Sequence, residues 1–141
     1  MVDMIVREMT RKDADIAVAW LTERMRRRSG RDDLEFSAAW MPETGLAACD
    51  GTGRVRCVAV LYLEKSSPVA VFGWVIADPA NSHRESSGAV RRLLAAMPSY
   101  AESKGAKHLI SMFGSRSVNR ILNDSGFVSG DSKVEQKYRK L

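Results

Sequence analysis

VAVFGWVIADPANSHRESSGAVRRLL, residues 69 to 94, decides the fold. Val69 to Ala77 is a nearly unbroken apolar run rich in Val, Ile, Phe and Trp, closed by Asp78-Pro79, and this composition favours a buried strand. Val90, Leu93, Leu94, Met97 and Ala101 then recur at helical spacing and predict one buried helix face. Between the two lies a polar loop with Pro79, His83 and Arg84, and the Ser86-Ser87-Gly88 turn is expected to open the helix. A helix start leaves N–H groups unpaired and carries the positive end of the macrodipole. With Arg84 just before it and the small residues Ser86, Ser87, Gly88 and Ala89 inside it, this turn suits a pyrophosphate.

Upstream, Leu46 to Cys49 and Val55 to Glu64 read as strands joined by a tight turn at Asp50-Gly51, and Lys65 to Pro68 turns the chain into residues 69–77. Three antiparallel strands in a meander result. Earlier still, Met4 to Met9 alternates as a strand, and Thr10 caps a helix with Asp13 placed for the reciprocal bond. That helix turns Ile16, Ala17, Trp20, Leu21 and Met25 toward the core and ends in Arg24, Arg26, Arg27 and Arg28 before Ser29-Gly30. Asp32-Asp33 is expected to cap a second short helix carrying Leu34, Ala38 and Trp40, with Pro42 as its stop.

Downstream, Pro98 removes a backbone donor, so a kink or break is expected between Met97 and Tyr100. Lys107 to Phe113 reads as a second buried strand, parallel to residues 69–77 because a helix crosses over between them. Ser115 is expected to begin a helix with Val118, Ile121 and Leu122 inward, closed by Gly126-Phe127. Phe127 to Ser129 and Val134 to Tyr138 complete the expected pattern as a hairpin through Gly130-Asp131, with the basic end as an edge strand.

A chain of 141 residues, 45% hydrophobic and 28% charged, is the size and balance of one domain spanning residues 1–141. No apolar run is long enough to span a bilayer, and Asp3, Arg7 and Glu8 stand where a signal peptide needs an apolar core, so the expected location is cytoplasmic, with no membrane partner. A hairpin at Asp50-Gly51 pairs Cys49 near Arg54 rather than with Cys57, which predicts two reduced, packed thiols. The formal charge of +5 fits an anionic partner. The arginine cluster from Arg24 to Arg31 has no interleaved aromatic residue and sits at a helix C-terminus, where cations are locally favoured; it reads as a solvated helix end rather than a nucleic-acid patch. His83 and His108, Cys49 and Cys57 lack metal-ligand spacing, and there is neither a Walker loop nor a Gly-x-Ser-x-Gly elbow.

At Arg84, Ser87, Gly88 and Ala89 the sequence resembles the GNAT family of acetyl-CoA-dependent N-acyltransferases, whose signature is Gln or Arg, two residues, Gly, one residue, then Gly or Ala. Gly126-Phe127 and the element order extend the resemblance over the whole chain. It implies an α/β three-layer sandwich in the order β-α-α-β-β-β-α-β-α-β-β, with helices on both faces of a mixed sheet of about six to seven strands. It implies acetyl-CoA as cofactor and a small-molecule or peptide amine as acceptor, with homodimerisation open. The pantetheine arm is expected against Val75, Ile76 and Ala77. The pyrophosphate is expected on the backbone of Ser86, Ser87, Gly88, Ala89 and Val90, with Glu85 in the same turn and Arg84 as charge partner. Ser115 and Asn119 are candidate donors from the other side.

Three departures from the family pattern bear on chemistry. Ser87 replaces the first glycine, Ser115 aligns with the usual Asn, and Leu122 stands where the family carries its proton-donating Tyr. Val69 to Ala77 holds no carboxylate, which leaves Asp78 or Glu64 at strand ends as base candidates, and Ser115 as a proton donor. The expectation is slow acetyl transfer, raised by Leu122→Tyr; the alternative is a catalytically weak or inactive GNAT-like protein serving as a CoA-binding or structural component.

Overall fold

The computed structural model describes residues 3–33, 35–111, 113 and 116–130. The chain runs β1 (Ile5–Glu8), α1 (Arg11–Ser29), a 3-10 turn (Ala38–Trp40), β2 (Gly45–Cys49), β3 (Val55–Leu63), β4 (Val69–Ala77), α2 (His83–Ser103), β5 (His108–Ser111) and α3 (Arg116–Asp124). One mixed sheet has the order β1-β2-β3-β4-β5, antiparallel up to β4, with β5 parallel to β4 as a crossover helix requires. Ala89, Leu93, Leu94, Met97 and Ala101 of α2 and Ile121 and Leu122 of α3 pack on one face; Ala14, Ala17, Val18 and Leu21 of α1 pack on the other. Three layers and the mixed sheet follow the expected architecture, with five strands among the described residues.

Each helix start has a chemical cause. Thr10 and Asp13 form a reciprocal capping box at α1, and Gly30 ends that helix in the left-handed region at φ 68°, where glycine carries no Cβ penalty. Burial pushes the Asp13 carboxyl up, but the Arg7 guanidinium at 2.6 and 3.0 Å, with the Thr10 N–H and hydroxyl, outweighs burial and holds it below the usual carboxylate range. Asp50 is held well below that range by the Thr52 hydroxyl and the Arg56 guanidinium. Such groups stabilise the fold above their unfolded value of 3.8, and that stabilisation is lost as pH falls through the lower folded value. Denaturation midpoints are therefore expected to hold near neutral pH and fall below about pH 4. Asp13→Asn should be less stable than wild type near neutrality and approach it as pH falls through the lowered folded value; a gap that stays constant across the acid range would exclude the carboxylate as its source.

The structure departs from the sequence reading in four places. Asp32-Asp33 caps no helix; the helical turn is the short 3-10 segment capped by Ser37, whose hydroxyl accepts from the Ala39 N–H. Helix α2 starts at His83 rather than in the Ser-Ser-Gly turn, because Ser82 and Glu85 close a capping box one turn earlier. The same helix runs through Pro98 without a break, carried by the buried face on either side of it. Phe127 to Ser129 is not a strand; the Phe127 N–H donates to the Leu122 carbonyl, and Val134 to Tyr138 lies outside the described residues.

Two bulges set which side chains face which layer. On β4, Leu61 pairs with Phe72 but Val60 pairs with Trp74, so Gly73 is unpaired and the face alternation inverts. Ala70 and Phe72 face α2, and beyond the bulge Val75 and Ala77 do so, turning Trp74 and Ile76 toward α1. On β3, Ala48 pairs with Cys57 and Cys49 with Val55, so Arg56 is the extra residue. Both cysteines are free and buried, and burial pushes the Cys57 thiol up to about 12.

Candidate active site

The β4–β5 ladder covers only Val69 to Phe72 against His108 to Ser111, yet β4 continues to Ala77. From Gly73 onward β4 has no neighbour on its β5 side among the described residues, which leave a gap there. The Asp78 N–H donates to the Arg56 carbonyl on β3 at 2.9 Å, which fixes the alternation of backbone groups. Trp74 and Ile76 point their N–H and C=O toward β3, while Val75 and Ala77 point theirs into the gap. Of the three expected pantetheine contacts, the backbones of Val75 and Ala77 are thus presented; Ile76 is turned to β3, and its side chain is buried against α1.

The N-terminus of α2 stands at the same end of β4. The Ser82 hydroxyl accepts from the Glu85 N–H at 3.1 Å, the Glu85 carboxylate accepts from the Ser82 N–H, and the Ser86 N–H bonds the Ser82 carbonyl. The N–H groups of Ser86 to Val90, expected to cradle a pyrophosphate, are therefore within the helix ladder; those outside it belong to His83 and Arg84. Gly88 is exposed in the helix interior, and a Cβ built there meets no atom within 4 Å. Ser87 is half-buried and Ala89 fully buried against the core.

Sequence reasoning missed the polar network behind this turn. Arg54 donates to Asp78 at 3.0 Å; Arg56 donates to Asp50 at 2.9 Å and to the Asn81 side chain at 3.3 Å, and the Asn81 amide donates to the Arg56 carbonyl at 2.9 Å. Asp78 also accepts from the Ala80 N–H at 2.9 Å. The carboxylate proposed as a base is therefore buried and engaged with guanidinium and backbone donors, where it fixes the loop between β4 and α2. Only the Asp50-Gly51 turn signal foreshadowed this network, since the bulge that aims Arg56 depends on strand register. Arg54 and Arg84 are exposed cations at this mouth.

The remaining candidates lie elsewhere. Glu64 accepts from the Ser66 backbone and hydroxyl in the β3–β4 turn, at the opposite end of β4 from the gap. Tyr100 donates to Glu8 at 3.0 Å and accepts from the Gly45 N–H at 3.1 Å, about 25 Å along α2 from its start at 1.5 Å per residue. The Asn119 amide donates to the Phe113 carbonyl at 2.7 Å, which ties the start of α3 to the end of β5. Ser115 and Tyr138 lie outside the described residues. Leu122, at the expected proton-donor position, is buried in the core. In the arginine cluster, Arg27 pairs with Glu23, Arg26 with Glu35 and Arg31 with Asp33. No described helix is long and apolar enough to cross a membrane, and no three described His, Cys, Asp or Glu side chains converge on a metal-sized site.

An acetyl-CoA molecule fits part of this arrangement. The β4 edge beyond Phe72, unpaired among the described residues, suits an extended amide-bearing arm, and exposed cations stand near the start of α2, while the closed capping box leaves the available N–H groups at His83 and Arg84. No protein-family profile matches the chain, and no curated protein matches it. Solved structures do. It is similar over 89% of its length, and 79% of the other chain, to yncA of Salmonella typhimurium, a putative acetyltransferase with acetyl-CoA, at 15% identity and a TM-score of 0.66. It matches AAC(6')-Iy in complex with a CoA bisubstrate analogue over 98% of its length and 99% of that chain, at 16% identity and a TM-score of 0.62. An aminoglycoside acetyltransferase from an uncultured soil metagenomic sample, in complex with sisomicin, matches over 98% and 97% at 8% identity and a TM-score of 0.62. The strand order, the single parallel pair and the gap beside β4, together with these likenesses, make the fold that of the GNAT acetyltransferases.

Proposed function

We propose that the chain is a single-domain, acetyl-CoA-dependent N-acetyltransferase of low turnover that acts in the cytoplasm on an amine. What supports this reading is that, beyond the Phe72–Ser111 pair, the Val75 and Ala77 backbone groups face away from β3 with no partner among the described residues, beside a helix N-terminus. When bound, acetyl-CoA supplies a thioester whose acetyl group moves to the amine nitrogen: the C–S bond breaks, the C–N bond forms, and the amine proton is left for the thiolate or solvent. Val75 and Ala77 orient the arm by strand-like pairing. Arg84 and Arg54 neutralise phosphate charge. No described carboxylate or phenol lies free at the gap to move the proton, and general acid–base assistance is typically worth about 10²–10⁴-fold, so turnover is slow. The same deficit favours a second reading, a CoA-binding protein without catalysis.

Titration calorimetry with CoA tests the site. Arg84 is an exposed cation in the first turn of α2, where a helix disfavours positive charge, so Arg84→Glu should leave stability equal or slightly higher while weakening CoA about tenfold or more. Gly88→Ala should stabilise the helix by about 0.5–1 kcal/mol. If the phosphates approach Gly88, that variant also loses CoA affinity. Equal CoA affinity in wild type and Arg84→Glu would move the phosphates elsewhere.

A further inference from the structure

One residue joins the segments that meet behind the start of α2. The bulge on β3 leaves Arg56 without a cross-strand partner on β2. Its carbonyl accepts from the Asp78 N–H and from the Asn81 side-chain amide, each at 2.9 Å. Its guanidinium donates to the Asn81 side-chain oxygen at 3.3 Å and, through Nε, to Asp50 at 2.9 Å. Both ends of the Asn81 amide are thus clasped by a single residue, and the Asn81 N–H closes the turn onto the Asp78 carbonyl at 3.0 Å. Asn81 directly precedes Ser82, the N-cap of α2.

That clasp decides where the helix start points. The N–H groups of His83 and Arg84 stand outside the helix ladder, and their direction is set by the chain that enters from Asn81 and Ser82. Donors aimed before a ligand arrives bind it without an ordering cost. Asp50 and Asp78 each keep other donors when Arg56 is set aside: Asp50 holds the Thr52 N–H and hydroxyl at 2.9 and 2.6 Å and the Arg54 N–H at 3.2 Å, and Asp78 holds the Arg54 guanidinium and the Ala80 N–H. Among the described residues, the side chain of Asn81 is held by Arg56 alone. Only a planar fork reaches Asp50 and Asn81 together, which a lysine ammonium at the same position cannot do.

We propose that Arg56 is a positioning residue for the cofactor phosphates, acting through Asn81 on the His83 and Arg84 N–H groups. The inference rests on the acetyl-CoA reading for the ligand that meets this turn, and the two fail separately. The test is calorimetric titration of the full chain with CoA and with pantetheine, which carries the same arm without phosphates, together with amide exchange of the unliganded protein. Arg56→Met and Asn81→Ala should each weaken CoA about tenfold and leave pantetheine within about twofold of wild type. Exchange at the Glu85 and Ser86 amides, which bond Ser82, should quicken about tenfold relative to Leu93 and Leu94 in the same helix. Arg56→Lys should bind CoA as weakly as Arg56→Met, because it keeps the charge and loses the clasp. Asn81→Ala removes the clasp without removing a charge, so it decides the matter where Arg56→Met does not fold. Equal losses for CoA and pantetheine, recovery of CoA affinity by Arg56→Lys, or unchanged exchange at Glu85 and Ser86 would overturn the inference. Absent CoA binding by wild type, with exchange still quickened in the variants, would overturn the acetyl-CoA reading alone.

Discussion

Phe72→Ala is expected to remove about 3–5 kcal/mol of stability, a large share of the margin of a domain this size. Among the described residues Phe72 is the largest fully buried side chain and the last of β4 paired to β5. Its ring packs edge-on against Phe113 at 5.3 Å and Phe127 at 6.2 Å, so it joins the sheet to the segments on either side of α3. Truncation loses the transfer energy of the ring and leaves a cavity whose walls, α2 above and the sheet below, cannot close without bending both. Urea unfolding midpoints check the first effect, and Phe72→Leu should recover more than half of it. A loss under about 1 kcal/mol would mean that the core around Phe72 collapses freely into the space left.

The second large effect reverses what the family resemblance implies. From the motif alone, Leu122→Tyr restores a proton donor and raises turnover. In the fold, Leu122 is 3% exposed, next to Ile121 in the core under α2, and its carbonyl accepts from the Phe127 N–H at 3.0 Å. A tyrosine there adds ring volume to a filled core and buries a hydroxyl with no acceptor prepared for it. Overpacking costs about 1–3 kcal/mol, and an unpaired buried hydroxyl costs a similar amount, so Leu122→Tyr should lose about 2–5 kcal/mol. Amine acetylation should not rise. Leu122→Met, which conserves volume, should cost less than about 1.5 kcal/mol and separates packing from chemistry. A stable Leu122→Tyr protein with faster acetylation would show that α3 turns this position toward the gap when acetyl-CoA is present.

The contrast between these two residues shows where sequence reading succeeds. Phe72 lies in an apolar run whose length and β-branched content admit only a buried strand, and the helix pattern from Val90 to Ala101 admits only a crossover, so the parallel β4–β5 pair follows. Thr10 with Asp13 likewise specifies its helix start from the chemistry of two side chains three residues apart. Ser82 with Glu85 had the same spacing and signature, yet the glycine-containing turn downstream drew the expected start one turn too late. The Ser82 and Glu85 pair by itself specifies His83 as the first helical residue.

Local signals, which act within a few residues of chain, were thus written in the sequence: the five strands and the long helices, the cap at Thr10, the reduced cysteines, and the antiparallel meander. Register across strands decided the rest. The unpaired Gly73 and Arg56 invert the face alternation of β4 and β3, and no periodicity in either strand announces this, because a bulge is a mismatch between two strands rather than a property of one. That inversion carries Trp74 to the α1 face beside Phe36, turns Val75 and Ala77 into the gap, and aims Arg56 at Asp50 and Asn81. Asp78 passes from candidate base to structural anchor for the same reason, since its partners Arg54 and Arg56 lie more than twenty residues away and meet it only when β3 and β4 pair.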